Sequence, residues 1–133
     1  MLGRPPLGIF IWLTCTGAVP ALAMDCPTPV DYDQTEKRIT DAPSCDASMQ
    51  LLMACQLGSS GDVSLAMIVT KKCEADFLAS LSASARRGYE RKVGACGDRF
   101  AAESGTLFQS TGAICAAEVA HAYASGAAKA KKQ

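Results

Sequence analysis

The chain has 133 residues, with 13 Lys+Arg against 13 Asp+Glu, seven cysteines, one histidine and 49% hydrophobic residues. That length supports one domain with its own core rather than several. A net charge of zero gives no overall electrostatic footprint for a polyanion, which argues against nucleic acid as a partner.

Residues 1–23, "MLGRPPLGIFIWLTCTGAVPALA", place Arg4 ahead of an apolar run from Leu7 to Val19, followed by Pro20 and the small-x-small triplet Ala21-Leu22-Ala23. This pattern predicts a secretory signal peptide cleaved after Ala23, because the apolar run is too short for a stable membrane anchor. Cys15 and Trp12 leave with it, and six cysteines remain. An even cysteine count in an exported chain predicts three disulfides and a periplasmic or secreted location.

Residues 24–43 are polar, contain three prolines and show little apolar periodicity, so an extended arm is expected there, tied down by Cys26. Residues 44–125 read as a helical domain with little support for strands. A first helix begins at Ser44 or Asp46 and stops at Gly58. A second opens around Ser60 to Asp62 and carries Leu65, Val69, Cys73, Phe77 and Leu81 on an i, i+4 ladder. A third, from about Ser84 to Glu103, places Tyr89, Val93, Cys96 and Phe100 on one face. Gly88, Gly94 and Gly97 each weaken that helix by about 1 kcal/mol relative to alanine. "SGT" at Ser104 to Thr106 breaks it. A fourth helix then carries Phe108, Cys115, Val119 and Ala122 on one side and fades at Ser125-Gly126, leaving 126–133 as a flexible tail. The fold class is therefore all-α: a small disulfide-stapled bundle of three to four helices with an extended N-terminal arm.

Neither zinc nor dithiol redox chemistry fits the cysteines. Zinc sites favour paired Cys-x2-4-Cys spacing, whereas the shortest gap here, Cys45 to Cys55, holds nine residues. No Cys-x-x-Cys is present either. A structural role does fit. If the third and fourth helices fold back at Ser104-Gly105, Cys96 and Cys115 reach nearly the same height at 1.5 Å per residue. The same reasoning places Cys45 opposite Cys73 and leaves Cys26 for Cys55, while Cys45 with Cys55 requires Cys45 to lie outside its helix.

His121 reads as exposed, with no nucleophile or orienting group signalled beside it, so no catalytic residue, cofactor or metal site is assigned. "RRGYERK", Arg86 to Lys92, reads as a solvated helix face and "DYDQTE", Asp31 to Glu36, as a solvated acidic loop. Leu65, Val69, Phe77, Phe100 and Phe108 are the side chains that would line a cavity, although an ordinary core needs the same apolar area.

"CDASMQLLMACQLGSSGDVSL", from Cys45, resembles the opening of the LprI-type lysozyme inhibitor N-terminal domain family, where two cysteines flank a short helical segment and Asp-x-x-Leu follows, here Asp62 to Leu65. "YERKVGACGDRFAAESGTLFQSTGAICAAEVAHAYA" is similar to that family's second half. Cys26 and Cys73 fall outside the pattern. The resemblance, over about Cys45 to Ala124, implies a small secreted or periplasmic helical domain and, for some members, lysozyme inhibition. The resulting expectation is a non-enzymatic binding protein whose partner is a cell-envelope protein or a lysozyme. The alternative is a helical carrier of a lipid or small apolar ligand.

Overall fold

Residues 25–26 and 29–132 are described by a computed structural model; the expected signal peptide lies outside them. Within them run five α-helices: α1 (Tyr32–Asp41), α2 (Cys45–Cys55), α3 (Gly61–Phe77), α4 (Ala83–Asp98) and α5 (Thr106–Ala130). A single 3-10 turn, Leu78–Ser80, follows α3, and no strand occurs among the described residues.

Helix α1 forms where the sequence predicts an extended arm. Asp31 caps it by accepting a hydrogen bond from the Gln34 N–H at 2.8 Å, and Asp33 adds a carboxylate to the first turn, where the helix dipole favours negative charge. Its inward stripe is Thr35 and Ile39, both buried. The far end is completed from another helix: Lys72 of α3 donates to the Thr40 and Ala42 carbonyl oxygens, each at 2.8 Å, satisfying carbonyls that the helix leaves open.

Ser44 caps α2 through the Ala47 N–H, and α2 buries seven of its 11 residues. In α3, the ladder Leu65, Val69, Cys73 and Phe77 is wholly inside, with relative exposures of 2% or less, whereas Leu81, expected as its last rung, lies beyond the end of the helix and is half-buried. Fully burying an aliphatic or phenyl side chain of this size contributes about 1.5–3 kcal/mol. Helix α3 packs against α1, α2 and α5 and so forms the centre of the molecule.

Two details of the C-terminal half differ from the sequence expectation. Helix α4 stops at Asp98 rather than Glu103, because Arg99 to Glu103 turn back through short bonds such as Phe100 N–H to Gly97 O at 3.1 Å. Helix α5 continues through Gly126 to Ala130, and its buried side chains are Ser110, Ile114, Ala117, Ala120 and Ala124. Ala122 is exposed and Phe108, Cys115 and Val119 are half-buried. Alanine lets two backbones approach closely, so the α3-facing side of α5 is its small-residue side. Cys115 is left facing α4.

Three disulfides close the structure: Cys26–Cys55, Cys45–Cys73 and Cys96–Cys115, with Cα–Cα distances of 5.1, 4.6 and 5.6 Å. The first ties Cys26 to the end of α2, the second α2 to α3, and the third α4 to α5.

Candidate functional site

The polar groups best suited to chemistry are engaged in holding helices together. Asp62, at 0% exposure, is the clearest case. Its carboxylate accepts from the Leu57 and Gly58 N–H groups at 2.7 Å each, from the Ser59 N–H at 3.3 Å and from the Ser110 hydroxyl at 2.7 Å. The turn between α2 and α3, where Gly58 takes a positive φ of 67°, is thereby fastened to α5. Asp62-x-x-Leu65, part of the resemblance noted above, is a folding device in this chain. The aspartate organises the loop, and the leucine enters the core.

A second cluster joins α3, α4 and α5. Tyr89 is buried and donates its hydroxyl to Glu74 Oε1 at 2.7 Å. Its ring meets Phe77 and Tyr123 edge-on, with centroids 5.1 Å away in each case. Burial, with the Glu74 hydrogen bond and charge behind it, pushes the Tyr89 phenol well above the ordinary tyrosine range. Such a hydroxyl donates a hydrogen bond and resists becoming a base. Lys92 lies 5.2 Å from the Tyr123 ring centre and covers the cluster from outside.

His121 is half-buried rather than exposed, with Nε2 2.9 Å from Asp46 Oδ1. It lies in a shallow slot of about 180 Å³ that also reaches Ser44, Asp76 and Ser125. The slot therefore contains a histidine and hydroxyls. However, the hydrogen bonds resolved there join His121 to Asp46 and Ser44 to the Ala47 N–H, so histidine and serine are not linked as base and nucleophile. Among the described residues, no group of three or more His, Cys, Asp or Glu is placed to hold a metal ion.

What remains open is surface. A cleft of about 450 Å³ sits at the α4–α5 turn, lined by Phe100, Phe108, Gly97, Gly112, Val63 and Glu103 among others. The two phenyl rings stand 6.2 Å apart. Leu65, Val69 and Phe77, the other side chains considered for a cavity, are packed in the core instead. Outside this cleft, the described residues divide into an acid-rich half and a base-rich one. Among them nine Asp+Glu and four Lys+Arg precede Ser82, whereas four Asp+Glu and eight Lys+Arg follow it. Comparison with models of known families, with curated proteins and with solved structures finds no match to this chain.

Proposed function

We propose that this chain is an exported, non-enzymatic binding domain, periplasmic or secreted once residues 1–23 are removed, that acts on a protein of the cell envelope such as a lysozyme. The observation that carries the reading is the use of its polar side chains. Asp62, Tyr89 and His121, the groups with most chemical potential, are each bonded to another helix or loop, while three disulfides fix the surfaces they support. Disulfides of this kind suit an oxidising extracellular or periplasmic compartment. The acid-rich α1–α3 unit, with exposed Asp31, Asp33 and Asp46, offers complementary charge to a basic partner, and the LprI-type resemblance supplies lysozyme as the first to test. Micromolar oxidised protein is expected to slow lysozyme turnover and to retain lysozyme on a column. Failure of both removes lysozyme as the partner.

A second reading, a carrier of a small apolar ligand, is favoured by the Phe100–Phe108 cleft. Native mass spectrometry of protein purified without detergent tests it. A co-purifying apolar mass supports the carrier, and the bare chain mass alone opposes it.

A further inference from the structure

The cations of α4 and α5 converge on one end of the molecule. The Cys96–Cys115 disulfide and the 5.1 Å contact of the Tyr89 and Tyr123 rings fix an antiparallel register between these helices. In that register Arg86 and Arg87 lie abreast of Ala124 to Gly126, and Lys129, Lys131 and Lys132 reach to or past the start of α4 at Ala83. With Lys92 these six side chains are all exposed. Among the described residues the ion pairs are Lys37–Asp41 and His121–Asp46, so none of these six cations is paired, although Asp46 and Asp76 stand nearby across the His121 slot from Ser125 and Ala128. Such a cluster is stabilised by an external anion.

We propose that the paired ends of α4 and α5 form a docking face for an anionic phospholipid bilayer, with Asp31 and Asp33 at the start of α1 turned away from it. Three features choose a bilayer. The cations stand on long, flexible side chains at a helix end. None of the six lines the Phe100–Phe108 cleft or the shallow His121 slot, whose carboxylates are Asp46 and Asp76. A plane of mobile headgroups needs cation density there, not a pre-shaped pocket. The charge separation also orients the molecule, since the surface that attracts Arg86 and Lys131 repels Asp31 and Asp33. No described helix is long and apolar enough to cross a membrane, so the attachment is peripheral and salt-sensitive.

The test is co-sedimentation of the oxidised chain with vesicles of phosphatidylcholine, alone or with phosphatidylglycerol. Binding is expected to be about tenfold or more stronger on the anionic vesicles and to be lost at about 0.5 M salt. A variant carrying Arg86→Gln, Arg87→Gln, Lys129→Gln, Lys131→Gln and Lys132→Gln, all at exposed positions, keeps its helical circular dichroism and loses binding. The control Lys37→Gln, Arg38→Gln, Lys71→Gln binds as the parent does. Equal binding to neutral and anionic vesicles overturns the proposal, as does unchanged binding by the five-site variant. Retention on soluble polyphosphate without vesicle binding also overturns it, and reassigns the face to a polymer. So does salt-sensitive self-association in place of vesicle binding, which would pair this end with the acidic face of a second copy.

Discussion

Helix α2 buries seven of its 11 residues, whereas α4 buries two of its 16, Tyr89 and Cys96. The short helix is fixed along its whole length by core contacts and by disulfides at both Cys45 and Cys55. The long one lies against α5 and reaches α3 through the Tyr89 side chain, so its buried anchors are Tyr89 and Cys96, about seven residues apart, with half-buried Val93 between them. A helix held at few points keeps most of its surface for solvent. In this chain that surface carries Arg86, Arg87, Arg91 and Lys92. Rigidity and charge are thus divided between two regions: an acid-rich unit built on burial, and a base-rich hairpin built on a few strong contacts.

The largest effect should come from the buried unit. Asp62→Ala removes the acceptor of three backbone N–H groups and of the Ser110 hydroxyl, and is expected to cost about 4 kcal/mol in chemical denaturation. A loss below about 1 kcal/mol would show that the loop finds other partners. Next comes the hairpin: Cys96→Ser with Cys115→Ser opens a loop spanning 19 positions and should cost about 3 kcal/mol by the chain-entropy estimate.

Tyr89→Phe keeps the ring contacts and removes the bond to Glu74, for an expected loss of about 1 kcal/mol. The same residue gives the molecule an alkaline signature. Its folded pKa lies above its unfolded value, so the stabilisation is complete below about pH 10 and declines as pH rises toward the folded pKa. In a phenolate absorbance titration the Tyr89 step should fall on the alkaline side of the ordinary tyrosine range, and in Tyr89→Phe that step should vanish. The smallest effect is expected at His121→Ala. Its partner Asp46 is 65% exposed, so the change should stay within about 1 kcal/mol in thermal melts.

Much of this division is legible in the residues. The ladder from Leu65 to Phe77 announces α3 because large apolar groups recur at one spacing, and Gly58 places the break before it. Opposed heights across Ser104-Gly105 bring Cys96 to Cys115, which the structure joins. The unread parts have physical causes. Helix α1 offers only Thr35 and Ile39 as an inward stripe, too short for a periodicity, and its C-terminus depends on Lys72 from 30 residues away. Three of the five buried side chains of α5 are alanine, whose small side chain gives little hydrophobic contrast yet permits close packing. The loop-fastening role of Asp62 is not legible because a buried carboxylate is identifiable only once its donors are in place. A net charge of zero conceals two opposed halves, since a sum carries no positions.

The central claim is that α4 hangs on Tyr89 and one disulfide while α2 and α3 stand on their own core. Native-state hydrogen exchange on the Cys96→Ser, Cys115→Ser protein tests it most directly, by comparison with the parent chain. The account predicts that amides from Tyr89 to Asp98 lose protection while those of α2 and α3 keep theirs. Parallel loss of protection in all helices, or unchanged protection in α4, would contradict it.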